Sequence, residues 1–180
     1  MRTKPLSSAR IPALRLRIIT IAVLLAFCGG AASSWAGPSS QTDQVRTPPS
    51  NPWQTNQVIK PAELAKTLSA ATGTKPLVLC VGFRVLYQGG HIVGAKFAGP
   101  ASTPGGLHAL QRVVQDLRHD KHIVLYCGCC PWNRCPNIRP AFRTMQKMGF
   151  TNLQVLSVPT NLHEDWIAKG FPIEKGPDRQ

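Results

Sequence analysis

The chain has 180 residues and a formal net charge of +13, with 21 Lys and Arg against 8 Asp and Glu. This length suits one domain with a sizeable hydrophobic core and hardly two. The basic residues form no run interleaved with aromatic residues of the kind that nucleic-acid binders show, so we expect no nucleic-acid partner.

Residues 1–36 have the features of a secretory signal peptide. Five basic residues precede an apolar core at Ile18–Phe27, and Ser34-Trp35-Ala36 is a plausible signal-peptidase site. The alternative is an uncleaved membrane anchor, but the apolar core is short beside the ~20 residues that a span needs. We therefore expect cleavage, a periplasmic or secreted protein, and no stable membrane insertion afterwards.

Cleavage changes the charge and the cysteine count. Without the five basic residues of the leader, 16 Lys and Arg face 8 acidic residues, a net charge of +8, which favours anionic small substrates or an anionic surface. Five cysteines remain, and because five is odd, at least one thiol lies outside any internal disulfide. Exported proteins work where disulfides persist.

The remaining chain is predicted to be a flexible linker over residues 37–58 and a single domain over residues 59–176. The linker is rich in Pro, Ser, Gln and Thr, and Pro61 suits the first position of a helix. The elements predicted after it are a strand at Leu77–Val81, a turn into a short strand at Tyr87–Ala95, a helix at Leu107–Leu117, a strand at Ile123–Tyr126, a helix at Ile138–Met148, a strand at Leu153–Leu156 and a last helix at Asn161–Lys169.

This alternation predicts an α/β fold with a central, mainly parallel sheet flanked by helices. Ligands bind beyond the carboxyl ends of the strands in such sheets, and Cys127 directly follows a strand. The turn from strand to helix directs backbone N–H groups and the positive end of the helix dipole into a small space, where a thiolate or an anion is stabilised. Cys127 is therefore the candidate nucleophile.

The candidate substrate-binding residues lie in the same loop. Two nearby arginines are expected to lower the pKa of Cys127 and to attract anions. Both are equally compatible with solvated positions, and the loop tryptophan with packing on the domain. The candidates are Gly128, Cys129, Cys130, Trp132, Asn133, Arg134 and Arg139.

The other cysteines and the histidine at the glycine turn have structural interpretations as well. Cys80 lies within an apolar strand and is expected in the core, and His91 is expected to be a structural hydrogen-bonding residue. The clustered thiols of the loop also suit Zn(II) or Cu(I), although their spacing lacks the C-x2-C pairs of structural zinc sites.

Three segments resemble the rhodanese-like domains, the thiosulfate sulfurtransferase family. Gly90–Ala95 reads Gly-His-Ile-Val-Gly-Ala, similar to the G-H-I-x-G-A turn of that family. Val124–Cys127 is similar to the strand end that carries the family's cysteine, with Met148–Leu153 following after the loop. Trp166–Pro172 is similar to the W-x3-G-x-P ending. In this order and spacing, the segments extend the resemblance over nearly all of the predicted domain.

The resemblance implies a persulfide-forming cysteine, which Cys127 matches. It implies that Cys127 takes the outer sulfur of a small anionic donor such as thiosulfate and passes it to a thiol or to cyanide. We expect no cofactor and no metal ion in this reaction. Cys129, Cys130 and Cys135 are candidate resolving thiols, since a thiol that attacks a neighbouring persulfide forms a disulfide and releases sulfide. A periplasmic redox protein is then a candidate partner.

The loop departs from the family pattern, which leaves alternatives open. Cys127 to Arg134 is C-x6-R where C-x4-R is usual, and taking Cys129 as the nucleophile restores that spacing but moves it off the strand end. Cys80-Val81-Gly82 replaces the family's Asp-Val-Arg, and Pro159-Thr160 stands near the place of a usual Gly-Gly. One alternative is a thiolate-rich copper or zinc module, or a redox module, on a catalytically silent scaffold. Another is a phosphatase or arsenate reductase, but no acidic residue lies in or beside the loop.

Overall fold

A computed structural model describes residues 50–177. The strands are β1 (Val58–Ile59), β2 (Leu77–Cys80), β3 (His91–Ile92), β4 (Lys96–Phe97), β5 (Ile123–Tyr126), β6 (Leu153–Leu156) and β7 (Ile173–Glu174). The α-helices are α1 (Pro61–Ser69), α2 (Arg84–Gly89), α3 (Pro104–Val114) and α4 (Ile138–Lys147). The predicted signal peptide and residues 37–49 of the predicted linker lie outside the described residues. Between residues 50 and 177, no helix has the length and apolar character to cross a membrane.

The main sheet has five strands in the order β1-β6-β5-β2-β4, and every neighbouring pair is parallel. β5 is the middle strand, with β2 on one side and β6 on the other. A separate two-stranded sheet pairs β3 with β7 in antiparallel orientation. The predicted α/β fold with a mainly parallel central sheet is confirmed.

The side chains of β5 alternate between two hydrophobic layers, as the geometry of a strand requires. Ile123 and Leu125 share one buried cluster with residues of α3 and α4. Val124 and Tyr126 share the opposite cluster with residues of α1 and α2. Because helices cover both faces of the sheet, all four residues are buried, which explains the continuous apolar run in the sequence.

α4 follows the strand and its loop as the sequence predicts. Its buried residues are Ile138, Ala141, Phe142 and Met145, which recur at the spacing of one face of a helix. The helix ends just before Gly149, whose φ of +89° lies in the left-handed region that glycine adopts readily. The predicted helix and its glycine stop are both present.

α3 begins earlier than the sequence predicts. It starts at Pro104 rather than at Leu107, because the side chain of Thr103 accepts a hydrogen bond of 3.0 Å from the backbone N–H of Gly106. Thr103 is therefore a helix cap, and Pro104 occupies the first helical position. The sequence did not predict this start, because the first turn contains two glycines, which are poor helix formers.

Two other elements also differ from prediction. The predicted turn at Tyr87–Ala95 begins inside α2, so its first residues are helical. The predicted last helix is reduced to a single π-helical turn at His163–Ile167, whose Trp166 is fully buried.

The packed chain begins before the predicted domain boundary at Ile59. Trp53 is 8% exposed, and its ring centroid lies 5.5 Å from that of Phe142 on α4 and 5.7 Å from that of Trp132. The Arg139 side chain of α4 donates a hydrogen bond of 2.8 Å to Asn51. An aromatic residue within a polar segment thus ties the end of the predicted linker to the domain.

Candidate active site

Cys127 lies at the carboxyl end of β5, beside the end of β2, and is 5% exposed. Gly82, just past β2, approaches it closely. A Cβ atom at position 82 would lie 2.6 Å from the carbonyl oxygen of Cys127 and 3.1 Å from its Sγ. Cys127 keeps its position only because residue 82 has no side chain. Gly82 stands where the family pattern has an arginine, and this close approach to Cys127 explains why a residue without a side chain is needed there.

Three sulfur atoms form a cluster at this point. The Sγ atoms of Cys127, Cys129 and Cys135 all lie within 4.8 Å of one another. The Cys127 and Cys129 sulfurs are 3.2 Å apart, and Cys130 extends the series with its Sγ 3.3 Å from that of Cys129. No disulfide joins any of the cysteines in residues 50–177. We call Cys127, Cys129 and Cys135 the thiol cluster.

The loop between β5 and α4 folds back so that its first and last cysteines meet. Gly128 has a φ of +83°, which lets the chain turn immediately after Cys127, and its carbonyl accepts a hydrogen bond from the N–H of Leu162 at 3.0 Å. Further along, the N–H of Trp132 donates to the carbonyl of Val158 at 2.9 Å. A short 3-10 turn then brings Cys135 to the start of α4.

Asn137 is a site residue that sequence reasoning missed. It is fully buried, and its amide Nδ2 donates a hydrogen bond of 3.3 Å to the Sγ of Cys127. Its Oδ1 accepts a hydrogen bond of 2.8 Å from the backbone N–H of Ser102. Asn137 therefore fixes Cys127 against the segment that leads into α3. The only signal in the sequence was its position, two residues after Cys135 and directly before the predicted helix.

Between Cys127 and Cys135, a negative charge is stabilised better on Cys135. The Cys127 thiol donates a hydrogen bond to it, and the backbone N–H groups of Asn137 and Ile138 at the start of α4 donate as well, which lowers the pKa of Cys135 to about 6. The pKa of Cys127 is raised because its thiol donates to Cys135 and because it is buried. The pKa of Cys130 is raised to about 12, mainly by burial.

Neither of the two arginines is among the groups that shift the pKa of Cys127 or Cys135. Arg134 is exposed in the 3-10 turn. Arg139 donates hydrogen bonds to the side chain of Asn51 and, at 2.6 Å, to the carbonyl of Asn133. Its guanidinium therefore connects α4 to the beginning of the described chain and to the loop. The predicted lowering of the Cys127 pKa by these two residues does not occur, because the hydrogen bond to Cys135 and burial set that pKa instead.

A cavity of about 430 Å³ opens beside the cluster. Of the predicted site residues, Cys127, Gly128 and Cys129 line it. Cys130, Trp132, Asn133, Arg134 and Arg139 do not, and neither does Cys135. Trp132 instead packs on Trp53. The cavity therefore lies between the thiol cluster, α2 and the π-helical turn.

The interpretations of Cys80 and His91 as structural residues agree with the structure. Cys80 is 2% exposed at the end of β2, in the core layer that also holds Tyr126. His91 is equally buried, stacks on the ring of Tyr87 at a centroid distance of 3.8 Å, and its Nδ1 lies 2.8 Å from the carbonyl oxygen of Tyr87.

No family model and no curated protein matches the chain. Solved structures do. The Alr3790 protein from Anabaena sp. matches with a TM-score of 0.51 and 21% identity, over 65% of this chain and 82% of that one. The BH2092 protein from Bacillus halodurans matches with a TM-score of 0.50 and 18% identity, over 65% of this chain and 75% of that one. A solution structure of the rhodanese-like domain of Alr3790 matches with a TM-score of 0.49 and 21% identity, over 69% of this chain and 89% of that one. The fold of the described residues is that of the rhodanese-like domains.

Proposed function

We propose that the protein is a sulfurtransferase in which Cys127 carries the sulfur. The position of Cys127 supports this most. Cys127 directly follows the middle strand of a rhodanese-like sheet and lines a cavity large enough for a substrate. A fold does not by itself determine a function, so the proposal depends on the residues of the site.

The first step loads the sulfur. Cys127 attacks the outer sulfur of a donor such as thiosulfate, the S–S bond of the donor breaks with its electron pair, and sulfite leaves. Cys127 must lose its proton to do so, and the Cys135 thiolate, which already accepts a hydrogen bond from that thiol, takes it. Cys135 thus acts as the base, and the side-chain amide of Asn137 donates to the reacting sulfur.

The second step unloads the sulfur. The thiolate of an acceptor attacks the outer sulfur of the Cys127 persulfide, a new S–S bond forms on the acceptor, and Cys127 is released. Cys129 is close enough to compete, since its Sγ is 3.2 Å from that of Cys127. If its thiolate attacks the inner sulfur, the Sγ of Cys127, the persulfide S–S bond breaks, a Cys127–Cys129 disulfide forms and hydrosulfide leaves. An external dithiol protein would then have to reduce the disulfide. A periplasmic or secreted location, which the leader sequence suggests, suits such a redox partner.

The test is intact mass spectrometry of the reduced, metal-free protein before and after exposure to thiosulfate. We expect the wild type to gain the mass of one sulfur atom and to lose it on addition of cyanide. Cys127→Ser should gain none, whereas Cys80→Ser, which removes a buried thiol of the same sheet edge, should gain the sulfur normally. A wild type that gains no sulfur from thiosulfate or from inorganic polysulfide, with its thiols shown to be reduced, contradicts the proposal.

A copper-binding function is a second candidate, and the thiol cluster is the observation that favours it. Three sulfurs within 4.8 Å of one another are suitable ligands for Cu(I), which accepts soft thiolates, whereas Zn(II) usually requires a fourth ligand. If the protein is a Cu(I) carrier, it should take Cu(I) from a chromogenic chelator in a ratio of one ion per chain. Cys135→Ser should lose this ability and Cys80→Ser should keep it. A wild type that leaves the ion on a weak chelator excludes this candidate.

A further inference from the structure

The cavity beside Cys127 has apolar walls. Leu162 and Ile167 line it at the two ends of the π-helical turn, Tyr87 lines it from α2, and Tyr126 lines it from β5. The phenol of Tyr126 is uncharged at neutral pH, and burial raises its pKa further above the ordinary value. These four side chains can therefore make apolar contacts with a ligand but carry no charge that would bind it.

No Lys, Arg, Asp or Glu lines this cavity, although the chain carries 21 basic residues. Apart from the imidazole of His163, no side chain that lines the cavity belongs to a basic residue type. The composition of these walls instead suits a ligand that is mainly apolar.

The mouth of the cavity is apolar as well. Among the residues that the structure describes, the large hydrophobic side chains that remain exposed are Phe83, Val85 and Leu86, all at the start of α2. Val85 is 73% exposed, Leu86 is 49% exposed, and both line the cavity. Exposed apolar residues that cluster at one cavity mark a binding site more often than scattered ones do.

The volume of about 430 Å³ lies within the range of about 300–1,000 Å³ that holds small organic molecules. Thiosulfate, with five non-hydrogen atoms, would fill only a small part of it. We propose that this cavity receives the apolar body of an organic thiol that is uncharged apart from its sulfur, and that this thiol is the acceptor of the Cys127 sulfur. The inference rests on the proposed sulfurtransferase function and names its acceptor class.

In the transfer, the acceptor thiolate attacks the outer sulfur of the Cys127 persulfide. The bond between the two persulfide sulfurs breaks, its electron pair returns to Cys127, and the acceptor leaves as an organic persulfide. No external oxidant or reductant is needed, because one S–S bond forms as another breaks. The apolar walls raise the rate by holding the acceptor with its sulfur directed toward Cys127.

The experiment compares three acceptors on protein that has been loaded with sulfur and freed of donor. They are 2-phenylethanethiol, which is apolar, 2-mercaptoethanol, which is small and neutral, and 2-mercaptoethanesulfonate, which is anionic. After correction for the fraction of thiolate, we expect transfer to the apolar thiol to be faster than to either of the others by about 10-fold or more, as an apolar group in a matching site provides. Equal rates for all three, or a faster rate for the sulfonate, would overturn the inference.

Two variants of α2 form a matched pair. Leu86→Glu places a carboxylate at the mouth of the cavity and should lower the ratio of apolar to small-thiol transfer by about 10-fold. Gln88→Glu adds the same charge at an exposed position of the same helix that does not line the cavity, and should leave the ratio unchanged. An equal effect of both variants would show a general charge effect and would contradict the inference.

Binding of 2-phenylethanol, which has oxygen in place of sulfur, separates the two proposals. Its binding should perturb the NMR signals of residues around the cavity in the wild type and much less so in Leu86→Glu. If the wild type binds the alcohol but never gains sulfur, the sulfurtransferase proposal fails, and the acceptor role fails with it. If the protein gains sulfur but does not bind the alcohol, only the apolar acceptor class is wrong.

Discussion

Cys135 has a lower pKa than Cys127, although Cys127 occupies the strand end. The difference follows from the positions of the donors. Backbone N–H groups at the start of α4 reach Cys135, which is 1% exposed, and the thiol of Cys127 donates to it as well. Cys127 thus rests as a protonated thiol beside a thiolate, an arrangement in which its proton moves only a short distance when it reacts.

The proposed role of Cys135 as a base predicts the pH dependence of sulfur loading. The pKa of Cys135 is about 6, so the loading rate of the wild type should fall as the pH decreases through about 6 and protonates the base. In Cys135→Ser the fall should occur at a higher pH, where Cys127 ionises by itself, and the rate at neutral pH should decrease by about 100-fold or more. Time-resolved intact mass spectrometry over a pH series measures both effects.

Cys130→Ser is the control for this prediction. Cys130 belongs to the same loop, but its pKa is raised to about 12, so it remains protonated at neutral pH and can supply no base there. Its variant should keep the inflection near pH 6, because a serine hydroxyl can still donate the weak hydrogen bond that Cys130 gives to Cys135. An inflection that is unchanged in Cys135→Ser would show that another group controls the loading rate.

Asn137→Ala should damage both the stability and the site. It removes the hydrogen bond to the Cys127 sulfur and leaves the N–H of Ser102 without its partner. We expect the free energy of unfolding to decrease by about 1–3 kcal/mol, as for other buried groups that lose their partner. Urea unfolding measures this, and the loading rate should decrease in the same variant.

Asn133→Ala is the matched control, since Asn133 lies in the same loop and is exposed. Its side chain should contribute little, and both measurements should stay close to the wild type. Similar losses in the two variants would show that Asn137 has no special role in holding Cys127.

The position of Cys127 was predictable because it depends only on where a buried strand ends. Cys135 and Asn137 were not predictable as partners of Cys127. Their approach depends on how the loop folds back and on the rotation of α4 about its axis, which no spacing in the sequence specifies. The arginines were expected near the sulfur for their charge, but Arg139 instead holds Asn51 and the carbonyl of Asn133.

At the scale of the elements, the first turn of α3 packs against the chain just before it. Gly106 faces inward, and a Cβ atom there would lie 1.9 Å from the carbonyl oxygen of Pro100. Gly105, its neighbour in the same turn, would meet nothing within 4 Å. One of two adjacent glycines is therefore required by packing and the other is not.

Gly106→Ala and Gly105→Ala should differ sharply. The first forces backbone atoms apart, and we expect it to lower the free energy of unfolding by about 3 kcal/mol. The second replaces an unconstrained helical glycine by a better helix former, and should be neutral or stabilising by up to about 1 kcal/mol. Thermal and urea unfolding of both variants measure the difference. Equal stabilities would mean that the contact with Pro100 relaxes without loss.

Elements with strong periodicity or continuous burial were predictable, and short ones were not. β5, β6 and α4 match their predicted positions because their apolar residues alone determine which side is buried. α2 was hidden because Val85 and Leu86, its first apolar residues, are exposed rather than buried, so no helical periodicity marks it. The single π-helical turn is too short to give a period at all.

For the whole molecule, the parallel sheet and its two helical layers follow from the alternation of strands and helices. The start of the packed chain does not. Composition places residues 37–58 in a linker, yet Trp53 inserts between Trp132 and Phe142. The packing of one large side chain in a polar segment therefore moves the start of the domain toward the N-terminus, relative to the start that the average composition predicts.

Trp53 connects the beginning of the described chain to the loop that carries the cysteines. Trp53→Ala should lower the free energy of unfolding by about 3 kcal/mol or more, as other truncations of large buried aromatic residues do. Because Trp132 loses its contact, the loop should also become more open, and hydrogen exchange of residues 129–135 should increase. Urea unfolding and hydrogen–deuterium exchange measure the two effects.

Asn56→Ala, an exposed change in the same segment, should alter neither quantity. A shortened chain that begins at Ile59 should be less stable than one that begins at Ser50, by as much as Trp53→Ala lowers the stability or more. If the chain beginning at Ile59 proves as stable as the one beginning at Ser50, the domain begins where composition alone places it, and Trp53 does not contribute to the fold.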